Sequence, residues 1–157
     1  MDTAESRFRF GVRQRCRGKG SEAMNTTKVT AHMSPSPWIL LVEDDGLKAE
    51  AAHLRLDALG ALVTLVTCLD DAIGLGMARY AGVVTDMRFP CTPGGEVGIY
   101  GWIVHAIARG YGLPVLVVSG DRPPSSWEDS ETQRWRIAPN PHDFRWLIGA
   151  ARRKGVA

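Results

Sequence analysis

Trp38-Ile-Leu-Leu-Val-Glu43-Asp44-Asp45 is an apolar run that breaks into acid. Five apolar residues read as a buried strand, and three carboxylates stand at its C-terminal end. Upstream, Ser34-Pro-Ser-Pro37 is a stiff, extended lead-in. Downstream, Leu47, Ala51, Leu54 and Ala58 recur at helical spacing, Leu59 widens the stripe, and Gly60 is a natural stop. Ala61 to Thr67 is short and β-branched, hence a strand. Leu69, Ile73, Met77 and Tyr80 return to helical spacing, with Asp70 and Asp71 favourable in the first turn. Ala81-Gly-Val-Val-Thr-Asp86 is a second apolar strand that ends in a carboxylate.

A loop with Pro90, Pro93, Gly94 and Gly95 follows, then a helix marked by Ile99, Trp102, Ile103, Ala106 and Ile107 and ended by Gly110 or Gly112. Pro114-Val-Leu-Val-Val-Ser119 is a strand that ends in a hydroxyl. Ser125-Ser-Trp-Glu128-Asp129 contains overlapping capping boxes and predicts a short helix, although Ser130 to Arg134 carries no apolar stripe. Trp135 to Ala138 reads as the last strand. Pro141 opens a final helix with Phe144, Leu147, Ile148 and Ala151 inward and Arg152, Arg153 and Lys154 at its end. Five strands and five helices in alternation predict an α/β fold, a parallel sheet with helices on both faces and right-handed crossovers. At this size the economical arrangement is the flavodoxin-like order 2-1-3-4-5.

Composition bounds the function. The 157 residues are 45% hydrophobic and 23% charged, an ordinary globular balance for one domain. No apolar stretch is long enough to span a bilayer and no secretory h-region is present, so no membrane association is expected. Cys16, Cys68 and Cys91 lack metal-ligand spacing and read as reduced cytoplasmic thiols. Residues 1–33 carry seven Lys/Arg against three Asp/Glu, whereas residues 34–157 carry twelve against fourteen. The globular part thus lacks the basic stripe that nucleic-acid binding requires. Residues 1–37 read as a disordered basic leader and linker, with Met24 and Met33 as further candidate starts. His105 and His142 have no metal-ligand partners and read as surface residues.

Clustered carboxylates repel one another and raise each other's pKa. A divalent cation relieves that repulsion, and Mg²⁺ is usually held by one or two carboxylates plus waters and phosphate oxygens. Strands ending in Glu43-Asp44, Asp86 and Ser119 therefore suggest one site at the carboxyl edge of the sheet. A phosphate-binding P-loop is absent, and the contiguous acids lack the Asp-x-Asp spacing of aspartate-nucleophile phosphatases. Asp45 reads as a helix N-cap rather than a ligand.

From Trp38 to Arg153 these motifs resemble the receiver domain of two-component response regulators, the chemotaxis-regulator type, which sets a receiver domain at 38–157. Ile39 to Asp45 resembles the family's first strand with its acidic pair. Val83-Val-Thr-Asp86-Met-Arg-Phe-Pro90 resembles the third strand with its phosphoacceptor and following proline. Leu113 to Gly120 resembles the fourth strand with its switch hydroxyl. The resemblance implies a stand-alone phosphorelay receiver rather than an enzyme. Asp86 would be the phosphoacceptor and Ser119 the switch hydroxyl. Mg²⁺ would be bound by Glu43, Asp44, Asp86 and the backbone carbonyl of Arg88. It implies a sensor histidine kinase or phosphotransfer protein as donor, a downstream protein target, and a monomer or weak dimer.

Three departures accompany the resemblance. The family's lysine before a proline is Asn140-Pro141 here, and no nearby lysine stands in for it, since Lys154 lies at the far end of the final helix. Arg122 reads as a solvated loop arginine. The loop from Cys91 to Val97 is longer than the family's, and Ile137 occupies the place of a switch aromatic. The alternative reading is a degenerate receiver, a phosphorylation-independent protein-binding module.

Overall fold

The computed structural model describes residues 35–154, so the leader-and-linker reading for residues 1–37 lies outside them up to residue 34. The chain runs β1 (Trp38–Val42), α1 (Gly46–Asp57), β2 (Leu62–Val66), α2 (Leu69–Gly74), a 3₁₀ turn (Met77–Arg79) and β3 (Gly82–Thr85). A small hairpin of β4 (Phe89–Pro90) and β5 (Val97–Gly98) follows, then α3 (Gly101–Gly110), β6 (Val115–Val118), β7 (Gln133–Arg136) and α4 (Pro141–Lys154). The five long strands form one parallel sheet in the order β2-β1-β3-β6-β7. Counting those strands alone, this is the expected 2-1-3-4-5.

Alternation along the strands divides the core. Ile39, Leu41, Val84 and Leu116 face α1 and α4, where they meet Leu56, Phe144, Leu147 and Ile148. Leu40, Val42, Val83, Val115 and Val117 face α2 and α3, where they meet Leu69, Ala72, Val104 and Ala108. Burying both faces of a central strand is why β1, β3 and β6 are continuous apolar runs.

Register positions the strand ends. Val42 lies beside Val66 on one side and Thr85 on the other, and Thr85 lies beside Val117. The three central strands therefore finish together, and the residues that follow them emerge at one edge.

Several expectations are corrected. No helix forms between β6 and β7: the segment has overlapping capping boxes but no apolar stripe to hold a helix on the sheet. Asp129 instead accepts from Trp127 Nε1 (3.2 Å), the Trp135 N–H (3.1 Å) and Arg136 (2.6 Å), which commits it to the neighbouring strand. The last strand is Gln133–Arg136 rather than 135–138, a shift of two that preserves which side chains face which layer. The helix expected through Tyr80 breaks at Gly76, whose φ of 77° is left-handed, and only a 3₁₀ turn follows. In α1 the inward face is Ala49, Ala52 and Leu56, while Leu47 and Leu54 are 81% and 63% exposed. His105 is half-buried rather than a surface residue. Its ring lies 5.1 Å from Trp127 and 5.9 Å from Trp102, its Nε2 pairs with Gln133 Oε1 at 3.1 Å, and burial lowers its pKa.

Candidate functional site

Glu43 and Asp86 each follow the last residue of a central strand, and both are tied there by the backbone. The Glu43 N–H donates to Val66 O (3.1 Å) and the Asp86 N–H to Val42 O (3.0 Å). Both side chains are buried, as is Ser119, whose N–H donates to Arg136 O (3.1 Å). Asp44, Asp86, Arg88, Ser119 and Asp121 line one open cleft with Lys48. Glu43, Asp86 and Ser119 also border an apolar pocket of about 200 Å³ whose lining includes Val118, Ile137 and Phe144.

The two oxygens of Asp86 have different surroundings. Oδ1 accepts from the N–H groups of Met87 (2.5 Å) and Arg88 (3.4 Å). Oδ2 faces the Lys48 ammonium at 3.4 Å. An acceptor held by backbone dipoles is oriented without being neutralised, and the second oxygen is the one left free of backbone donors. Gly101 makes this geometry possible. Its N–H donates to Met87 O (3.1 Å), and a Cβ there would stand against the Asp86 carbonyl and 2.6 Å from Met87 Cα. The first residue of α3 thus packs directly on the backbone of Asp86 and Met87.

Burial pushes the Glu43 carboxyl up to about 7, with Asp86 and Asp44 adding to the rise. The Asp45 N–H donates to Glu43 Oε1 (3.0 Å) and opposes it. Asp45 is the expected N-cap: its Oδ1 accepts from the N–H groups of Leu47 (3.0 Å) and Lys48 (3.1 Å). Partial burial pulls the Lys48 ammonium down, but Glu43 and Asp86 outweigh it, and its pKa is raised.

Among the described residues, no three His, Cys, Asp or Glu side chains converge closely enough to cage a metal by themselves. The donor set nevertheless fits Mg²⁺, which needs only one or two carboxylates with water and phosphate oxygens completing the shell. A carboxyl whose pKa is raised by burial, and further by its acidic neighbours, is a group that a divalent cation would help to ionise.

Asn140 caps α4. Its Oδ1 accepts from the N–H groups of His142 (2.8 Å) and Asp143 (3.3 Å), while its own N–H donates to Asp143 Oδ2 (3.0 Å). No hydrogen bond among the described residues joins it to Asp86. Arg122 is exposed and makes none of the ion pairs found there. The Arg88 side chain turns to Asp121, with Nε 2.7 Å from Oδ2.

Sequence reasoning missed Lys48, Gly101 and Asp121. Lys48 carried a signal: it lies three residues after the N-cap, and side chains in a helix's first turn lean back toward its N-terminus. Sequence reasoning considered only Lys154 as a stand-in beside Asn140, whereas the lysine that approaches Asp86 is Lys48 on α1.

No protein-family model and no curated protein matches the chain. Solved structures do. A response regulator receiver protein from Sinorhizobium medicae has a TM-score of 0.57 and 26% identity, covering 76% of this chain and 97% of that one. A two-component response regulator from Clostridium difficile has a TM-score of 0.57 and 17% identity, covering 78% and 100%. The receiver domain of a sensor histidine kinase from Pseudomonas aeruginosa, solved with magnesium coordinated in its active-site cleft, has a TM-score of 0.55 and 20% identity, covering 74% and 98%. The chain has the receiver-domain fold of response regulators, as its motifs implied.

Proposed function

We propose that this chain is a phosphorelay receiver that accepts a phosphoryl group on Asp86, with Mg²⁺ held by Glu43, Asp44, Asp86 and the carbonyl of Arg88. The observation that carries the reading is the common finish of β1, β3 and β6, with Glu43, Asp86 and Ser119 buried at one sheet edge and Asp86 and Ser119 lining one open cleft. Bound there, the cation would offset the charge of the incoming phosphoryl group. Asp86 Oδ2 is the nucleophile, and the N–H groups on Oδ1 fix the carboxylate plane. The Ser119 hydroxyl serves as a hydrogen-bond donor to the phosphoryl oxygens, at the head of the loop that would move. Little covalent chemistry is asked of the protein, which positions and neutralises.

The donor is a histidine kinase or phosphotransfer protein, and the signal leaves through contact with a downstream protein. A cytoplasmic setting agrees with the free thiols of Cys68 and Cys91. Among the described residues no helix is long and apolar enough to cross a membrane.

One observation favours the second reading, a phosphorylation-independent binding module: Asn140 is engaged as a cap and offers the site no charge. The full chain incubated with acetyl phosphate, with and without Mg²⁺, separates the two. Labelling seen by intact mass should require Mg²⁺ and vanish in Asp86→Ala. A folded wild-type chain that takes up no phosphoryl group would sink the phosphoacceptor reading and leave the binding module.

A further inference from the structure

We propose that Lys48 supplies, from the first turn of α1, the cation that the end of the last strand lacks, holding Asp86 before transfer and the phosphoryl group after it. This rests on Asp86 being the phosphoacceptor. Its support is geometric. Lys48 Nζ lies 3.4 Å from Asp86 Oδ2, the oxygen not committed to backbone N–H groups. The two other cations that line the cleft or the adjoining pocket are engaged elsewhere. Arg88 is paired with Asp121, and Arg55 donates to Pro139 O (3.0 Å) while lying over the Phe144 ring. Asn140, where the resemblance would put the cation, is closed into a reciprocal cap with Asp143.

The chemistry needs a cation at this place. With acetyl phosphate, Asp86 Oδ2 forms a bond to phosphorus as the bridging P–O bond breaks. The electron pair departs with acetate, and no proton has to move. The charge on the Asp86 side chain rises from one negative to two. The Lys48 side chain is 55% exposed on a flexible stem, so its ammonium can follow Oδ2 to a phosphoryl oxygen. In the resting state the same ammonium competes with a divalent cation for Asp86.

The test compares the full-length wild type with Lys48→Met, Lys48→Gln and Lys48→Arg. Losing a preorganised charged donor from a half-exposed site should slow acyl-phosphate formation ~10- to 100-fold in the Met and Gln variants. The Arg variant should remain much closer to wild type. Mg²⁺ affinity, read by tryptophan fluorescence, should move the other way, tightening roughly three- to tenfold in the Met and Gln variants as the competing charge disappears. A merely structural role for Lys48 would not tighten it. Wild-type labelling rates in the Met and Gln variants would overturn the assignment while leaving Asp86 as acceptor. If wild type itself does not label, the acceptor reading fails and the Lys48 role falls with it.

Discussion

Burial holds the Glu43 carboxyl up at about 7 against an ordinary value of 4.5, so the folded chain binds its proton more tightly than the unfolded chain. Stabilisation from that proton is complete below 4.5 and is lost as pH rises to about 7. Allowing for water at the cleft mouth, the loss is ~2 kcal/mol. Without Mg²⁺, the melting temperature should therefore fall across this window, and Glu43→Gln should flatten the fall. Mg²⁺ affinity should rise over the same window, because the cation competes with the proton. A melting temperature that stays level there in the wild type would refute this account of Glu43. At this scale the acids and Ser119 were legible because each follows an apolar run whose end can be read directly. Lys48 was overlooked, since its signal lies in helix direction rather than in position in a motif. Asn140 was found as a departure, but its cap became visible only through the reciprocal bonds with Asp143.

Gly101 shows how an element's placement fixes the site. The N-terminus of α3 lies so close to Asp86 and Met87 that a methyl group would collide with backbone rather than with a side chain that can turn away. Gly101→Ala should cost about 1–3 kcal/mol, as overpacking does, measured by urea unfolding. It should also slow phosphorylation, because relief of the clash has to displace either α3 or the Asp86 backbone. An alanine variant with wild-type stability would show that α3 sits further out than described. The same closeness explains the limits of the sequence reading. β1, β3 and β6 announce themselves, being buried on both faces. α1 misled because its leucines alternate with small residues, and the sheet accepts the alanine face: Ala49 and Ala52 pack inward while Leu47 and Leu54 face water. The segment after Ser119 satisfied the local signals of a helix start, yet local capping contributes about 1 kcal/mol and cannot replace a missing apolar face.

Across the whole molecule, the helix-free segment between β6 and β7 brings Trp127 into an aromatic cluster with Trp102 of α3 and Trp135 of β7. Trp102, Trp127 and Trp135 lie 5.3–5.9 Å apart, with His105 against two of them. Asp121 connects this cluster to the cleft: its N–H donates to Ser119 Oγ (3.3 Å), its carboxylate holds Arg88, and its carbonyl accepts from Trp135 Nε1 (3.0 Å). A phosphoryl group that draws the Ser119 hydroxyl inward must break or carry the Asp121 contact, and Trp135 is its next partner. On the proposed function, these contacts form a route of hydrogen bonds from the cleft to the aromatic cluster that does not pass through Ile137. Phosphorylation, or beryllofluoride with Mg²⁺ as its mimic, should change the intrinsic fluorescence. Trp135→Phe should remove most of that change, because it deletes both the reporter and the indole donor to Asp121. Trp146 stacks instead under Arg134, 4.6 Å from its ring centre, on the opposite face of the sheet, so Trp146→Phe should leave the change intact. A response that survives Trp135→Phe but disappears in Trp146→Phe would move the route to the α4 face, where Arg134 and Arg136 meet the buried Asp143.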